Sequence, residues 1–372
     1  MSTSALVDLF LSAVAVDAPS LHEAPMAAFV REALRGTSVR IVEDGTAARI
    51  QGTSGNLVCI PPGFDPSRPA IGLFAHLDTP RPTTGVRPIV HPDRITSDGT
   101  TILGVDDRAG VSVLLHLLRE RGKNGDGQNF IVVFTVAEEL GMYGAKYVNL
   151  APYNVRMAFV FDCSKRPGVF IQSAVGCSLY TATFHGRASH AGVSPEKGIH
   201  AIRVASEAIS RIPLGRLKPG MTSNIGSIRG GEATNIVPDR CTIEGEVRSF
   251  SPVEITAHLD ELERIFLDVV ASHGATVTME RAVDFAPFVL KESDGVYRAT
   301  CNALSAIGLT PEPIAYLGGS DANMLNGNGI PTANLGVGAQ NPHGNDEFIL
   351  LEDLDKTYEL AIALIDGGVH VS

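Results

Sequence analysis

Acids and imidazoles follow short apolar runs at five separated places in this chain, and those two side-chain types together are ligands for divalent metals. His76 and Asp78 close the run Ile71 to His76, in Ala75-His76-Leu77-Asp78-Thr79. Asp106 and Asp107 lie in Gly104-Val105-Asp106-Asp107-Arg108-Ala109-Gly110. Glu138 and Glu139 follow Phe130 to Val136, Asp162 follows Ala158 to Phe161, and His343 sits in Pro342-His343-Gly344. Singly these signals are weak, since a lone histidine is more often a hydrogen-bonded structural residue and a Glu-Glu pair is usually a solvated edge. As a set they are much stronger. In an open α/β sheet the carboxyl ends of the strands are where ligands bind. That many carboxylates at one edge would repel one another, and bound cations relieve the repulsion. Mixed imidazole and carboxylate donors suit zinc, with manganese or cobalt as alternatives. A two-metal centre needs one carboxylate that reaches both ions, about 3.5 to 4 Å apart, and spacing along the chain does not say which residue that is.

The elements that must position these residues are legible from hydrophobic periodicity. The apolar runs read as buried strands alternating with helices, the pattern of a mixed, mostly parallel α/β sheet with helices on both faces. Between the first two runs, Arg108 to Glu120 is apolar on nearly all sides and reads as a buried helix. Leu351, Leu354, Tyr358, Ile362 and Ile365 mark a final amphipathic helix. The middle of the chain differs. Cys177 to Phe184 alternates like a strand, Gly198 to Ile212 is helical, and Met221 to Ile228 and Cys241 to Val247 are strands. A helix then starts at Ser251-Pro252-Val253-Glu254, with Ser251 as cap and Glu254 expected to return the bond. Ala275 to Val283 closes a β-α-β-β-α-β series, a ferredoxin-like α+β unit. The expected organisation is a domain made of residues 1–174 and 289–372 with an inserted domain at 175–288.

Composition narrows the class of function. At 372 residues and 44% hydrophobic, the chain is long enough for two buried cores. A formal charge of -11 without any basic stripe argues against a nucleic-acid partner. No run approaches the roughly 20 apolar residues needed to span a bilayer, so no membrane partner is expected. Met1 to Val16 lacks the features of a secretory signal, and Leu6, Leu9, Phe10, Ala13 and Val14 recur instead at helical spacing. The five cysteines have no C-x-x-C spacing and read as reduced thiols, which points to the cytoplasm. No G-x-G-x-x-G follows a strand, so a nucleotide-binding oxidoreductase is poorly supported.

Several segments resemble peptidase T and its relatives among the dinuclear zinc exopeptidases, which include carboxypeptidase G-type enzymes and amino-acid deacylases. They are His76-Leu77-Asp78-Thr79-Pro80, Ser97 to Gly110, Ala137-Glu138-Glu139-Leu140-Gly141 and Ala188-Ser189-His190-Ala191-Gly192. Ala233-Thr234-Asn235-Ile236-Val237-Pro238, Gly319-Ser320-Asp321-Ala322 and Pro342-His343-Gly344 extend the similarity over nearly the whole chain. The resemblance implies that His76, Asp106 and Asp162 hold one metal and that Asp106, Glu139 and His343 hold the other, with Asp106 as the bridge. It also implies a cis Asp106-Asp107 bond, Asp78 behind His76, and Glu138 as general base. The family commonly has Lys where this chain has Arg108, a change that keeps the charge.

The same resemblance makes the inserted domain a lid and dimerisation domain, with His190 of a homodimer reaching the other protomer's site as an oxyanion donor. Asn235, Arg248 and Gly319 are the candidates for holding substrate, Arg248 by a planar fork onto a carboxylate. A strand-end salt bridge is the plainer reading of Arg248, and an ordinary turn that of Gly319. The expected activity is cleavage of small peptides, tripeptides above all, from the amino end. N-acyl amino acid deacylation or carboxypeptidase action on the same scaffold is the alternative. A catalytically silent scaffold would be expected to have lost a ligand or the base, and here every expected position is filled.

Overall fold

The computed structural model describes residues 4–121 and 129–367, and the chain divides into two compact units. The first comprises Met1–Ser173, Val289–Tyr316 and Ser320–Ser372; the second comprises Ala174–Phe288 with Leu317–Gly319.

The first unit is built on a mixed sheet. Its centre runs Phe130–Thr135, Ala70–His76, Val155–Cys163, Thr332–Gly336, and these four strands are parallel. Antiparallel strands Leu57–Ile60 and Val169–Ala174 flank this centre, and Arg40–Glu43 lies outside Leu57–Ile60. Parallel strands covered on both faces are apolar throughout rather than alternating. Accordingly every residue of Ala70–His76 and Phe130–Thr135 is buried. Phe74, Phe134, Phe159 and Phe161 are fully enclosed, each worth roughly 1.5–3 kcal/mol relative to exposure.

The helix Val105–Arg121 packs against Ala70–His76, Ser4–Val14 and Leu351–Asp366, which explains why it is apolar all round. Asp106 and Asp107, at its start, have non-helical backbone angles and are joined by a cis peptide bond. Gly110 lets this helix close on the strand carrying Asp162. A Cβ at Gly110 would collide with the carbonyl oxygen of Phe161 and lie 2.6 Å from Asp107 Oδ1.

The second unit is an antiparallel sheet in the order Gly215–Lys218, Met221–Gly230, Arg240–Ser249, Gly176–His185, Thr276–Phe285. Without its first strand this is the ferredoxin-like order, and Gly215–Lys218 is an addition that periodicity did not reveal. Helices Ala201–Arg211 and Pro252–His273 share its core, where Phe184 meets Phe266 edge-on at 5.4 Å between ring centroids.

Two local expectations are corrected. The helix expected from Gly198 begins at Ala201, because Ile199 is held extended by reciprocal backbone bonds with Arg187 of 2.9 and 3.0 Å. Ser251 does cap Pro252–His273, accepting from Glu254 N at 3.4 Å, but Glu254 does not return the bond. Its carboxylate accepts from Ser249 Oγ at 2.8 Å and Lys218 Nζ at 2.6 Å, stronger partners than a backbone amide.

No helix among the described residues is long and apolar enough to cross a membrane. All five cysteines are free, and burial pushes the Cys59, Cys163 and Cys177 thiols up to about 12.

Candidate metal centre

Because Ala70–His76, Phe130–Thr135 and Val155–Cys163 run parallel, their C-terminal ends deliver His76, the Glu138–Glu139 turn and Asp162 to one edge. The start of Val105–Arg121 brings Asp106 there, and the loop after Thr332–Gly336 brings His343. His76 Nε2 lies 3.0 Å from Asp106 Oδ1 and 3.6 Å from Asp162 Oδ1. His343 Nε2 lies 3.4 Å from Asp106 Oδ2 and 3.1 Å from Glu139 Oε1. The two oxygens of Asp106 therefore face different imidazoles, one in each cluster. Ligand atoms of His76, Asp106 and Glu139 lie within 4.8 Å of one another, as do those of His76, Asp107 and Asp162.

Asp78 is fully buried and organises more than the ring behind which it sits. His76 Nδ1 is 3.3 Å from its Oδ1 and 3.1 Å from its carbonyl oxygen. The same carboxylate accepts from Glu138 N at 3.0 Å, Glu139 N at 3.1 Å and the Ser20 hydroxyl at 2.7 Å. Burial alone would raise its pKa; His76, Ser20 and the Glu138 amide outweigh burial and hold it below the usual carboxylate range.

A further buried acid, Glu23, supports the same turn by accepting from Ala137 N at 3.0 Å and Leu21 N at 2.8 Å. Arg108 is enclosed beneath the site and donates to the carbonyls of Leu77 at 2.6 Å and Val16 at 3.3 Å. Its guanidinium thus keeps a positive charge under the acids and ties down the segment between His76 and Asp78.

Electrostatics mark this edge off from the rest of the molecule. The facing carboxylates of Asp106 and Glu139 push the His343 imidazole up to about 10. Burial opposes protonation of His76, yet Asp106, Asp162 and Asp78 outweigh it and raise its pKa well above the ordinary value. Burial, reinforced by neighbouring acids, raises Glu138, Glu139 and Asp162. Asp106 moves the other way, because both imidazoles hold its negative charge in place.

The donor set fits divalent metals: two imidazoles, three carboxylates and a buried Glu139 Oε1 that makes no hydrogen bond although His343 Nε2 is 3.1 Å away. A buried carboxylate oxygen without a proton donor is costly unless a cation takes its lone pair.

The structure thus brings together His76, Asp78, Asp106, Glu138, Glu139, Asp162 and His343 in the first unit. Asp107 was not among the expected ligands. Its Oδ2 accepts from His76 N at 3.1 Å and its Oδ1 from Gly110 N at 3.0 Å, so backbone amides occupy both oxygens. Asp321, also not expected, is buried with Oδ2 accepting from Thr135 Oγ1 at 2.5 Å, and burial raises its pKa to about 7. Its motif, Gly319-Ser320-Asp321-Ala322, was the signal available.

The remaining candidates belong to the second unit. His190 is exposed, and its Nδ1 accepts from Gly192 N at 3.2 Å and Val193 N at 3.1 Å. Its segment pairs with that of Asn235 through Ala191 N to Asn235 O at 2.9 Å. Arg248 has its fork filled by Glu246, with Nε to Oε1 and Nη2 to Oε2 both 2.9 Å, and it lies over the Phe285 ring. Gly319 also abuts that ring, where a Cβ would sit 2.7 Å from Phe285 Cζ.

Comparison with known proteins adds to this geometry. Residues 174–274 match a family described as Peptidase dimerisation domain, and residues 89–168 match one described as M42 glutamyl aminopeptidase. The crystal structure of aminopeptidase PepT from Bacillus cereus ATCC 10987 is 34% identical over 97% of both chains, with a TM-score of 0.84. The chain belongs to the peptidase T-like family of M20 metallopeptidases. A tripeptidase from Staphylococcus aureus subsp. aureus Mu50 is 30% identical over 98% of both chains, with a TM-score of 0.88. The protein YqjE of Bacillus subtilis (strain 168) is 34% identical over 97% of each chain. The resemblance to peptidase T noted in the sequence is therefore a family relationship, and the peptidase T-like fold carries the metal-dependent chemistry of a peptidase.

Proposed function

We propose that the protein is a two-metal aminopeptidase for tripeptides or similarly small peptides. The observation that carries this reading is Asp106, whose Oδ1 and Oδ2 lie 3.0 and 3.4 Å from two different imidazoles. On this reading His76, Asp106 and Asp162 hold one ion, and Asp106, Glu139 and His343 hold the other. Zinc is the favoured metal, with manganese or cobalt as substitutes. When bound, the ions polarise the scissile carbonyl and bring a water's pKa toward neutrality. Glu138 then takes the proton from the attacking water and passes it to the leaving amine. Its backbone N–H is fixed by Asp78, and burial together with Asp162 raises its proton affinity. Asp78 keeps the His76 ring oriented.

The second unit supplies a homodimer contact, with His190 donating to the oxyanion in the other protomer's site and Asn235, Gly319 and Arg248 holding substrate, Arg248 by exchanging the Glu246 carboxylate now in its fork for that of the substrate. Five free thiols are compatible with a cytoplasmic location. A substrate panel tests the activity: tripeptides with a free amine should be cleaved, whereas blocked peptides and N-acyl amino acids should not. Faster turnover of N-acyl amino acids would replace this reading with deacylation, and release of the C-terminal residue would replace it with carboxypeptidase action.

A further inference from the structure

His343 is the least enclosed of the candidate ligands. Its side chain is 50% exposed and its φ is +65°, whereas His76 is 1% exposed within a strand. The loop that carries it is closed at the base by reciprocal bonds between Gln340 and Phe348, of 2.9 and 3.1 Å. Within that loop Glu347 is buried and reaches inward, accepting from Gly104 N at 2.6 Å and Asp106 N at 3.1 Å. At the tip, the hold comes from outside. Arg81, three residues beyond Asp78, donates from one Nη2 to the His343 carbonyl oxygen at 2.8 Å and to Asn345 Oδ1 at 2.7 Å. Asn345 in turn donates to the Gly99 carbonyl at 3.0 Å.

We propose that Arg81 is a positioning residue for His343, and that it sets the affinity of the cation position made by Asp106, Glu139 and His343 without touching the position made by His76, Asp106 and Asp162. The inference rests on the two-metal reading above. Its physical basis is that both acceptors of the Arg81 guanidinium lie on the loop tip, at His343 and Asn345, whereas toward the His76 side the bond is made by the backbone carbonyl of Arg81, which accepts from Thr79 Oγ1 at 2.9 Å and is kept when the side chain is changed. Partners that orient a ligand from behind typically change metal affinity 10–100-fold when removed. Arg81 acts one step further back, on the carbonyl of His343 and on Asn345 rather than on the ring, so the low end of that range is expected. Arg81 is exposed, so its removal leaves no buried group unpaired.

The test is a count of bound Co2+ on the full-length protein equilibrated against graded free Co2+, for wild type, Arg81→Ala, Arg81→Lys and His343→Ala. Wild type should take up two equivalents. His343→Ala should lose one of them, and Arg81→Ala should weaken that same one roughly tenfold while the other holds. Arg81→Lys, with one ammonium to reach one acceptor, should fall between Arg81→Ala and wild type. Unchanged binding in Arg81→Ala, or equal weakening of both equivalents, overturns the assignment while leaving the two-metal reading intact. Fewer than two equivalents in wild type overturns the two-metal reading and this inference with it.

Discussion

The metal edge of the first unit and the His190–Asn235 strip of the second are built on opposite principles. At the metal edge the backbone that presents the ligands is gripped by buried acids: Asp78 receives His76, Ser20 and two amides, and Glu347 and Glu23 each receive two amides. His190 and Asn235 instead stand exposed, and the His190 ring accepts from two neighbouring amides of its own loop. Groups that must hold metal are placed in advance, because misplacement by about 1 Å is expensive in a coordination shell. His190 and Asn235 on the second unit are left open to solvent instead.

That contrast can be broken or sharpened by substitution. The largest effect is expected for Glu138→Gln, which removes the proton shuttle but no ligand. Turnover should fall by about 10²- to 10⁴-fold while metal content by atomic absorption stays at the wild-type level. Retention of full turnover would remove Glu138 from the mechanism. His190→Ala should follow, with a loss of about 10²- to 10³-fold in kcat and no change in metal content or in Tm. In mixtures with Glu138→Gln protein some activity should return through mixed dimers, and complete failure to recover would argue against a shared site. Asp78→Ala should be smaller in rate but broader in reach. Metal affinity should drop about 10- to 100-fold and Tm should fall as well, because removing that carboxylate leaves the Glu138 and Glu139 amides and the Ser20 hydroxyl without their acceptor, while His76 Nδ1 keeps only the backbone carbonyl of residue 78. If Asp78→Ala left Tm unchanged, or His190→Ala lowered it, the division between a preorganised edge and an open strip would not hold.

Much of this edge was legible in the sequence because strand ends in a parallel sheet are constrained. Once Ile71 to His76 and Phe130 to Val136 read as buried neighbours, the polar residues that follow them have to emerge on the same side. What stayed hidden depends on loops. Nothing in the spacing of Asp78 and Glu138 announces that one carboxylate holds the other's backbone amide, because that contact bridges 60 positions in sequence. Arg81 and Glu347 were invisible for the same reason, since their bonds reach 262 and 243 residues across the chain. The missed strand Gly215–Lys218 is short and exposed, so it lacks the alternation that betrays a half-buried strand. The capping error at Glu254 came from a competition, in which Lys218 and Ser249 outbid an amide that sequence motifs treat as the default partner.

Asp78 carries one further implication. A single carboxylate anchors both the imidazole expected to bind metal and the turn that presents the acid–base group, so ligand and proton carrier form one mechanical piece. Neither can be retuned by a change at this anchor without dragging the other along. Variation in reactivity among relatives with this arrangement has to enter from the periphery, through the loop of His343 or the residues that meet the substrate.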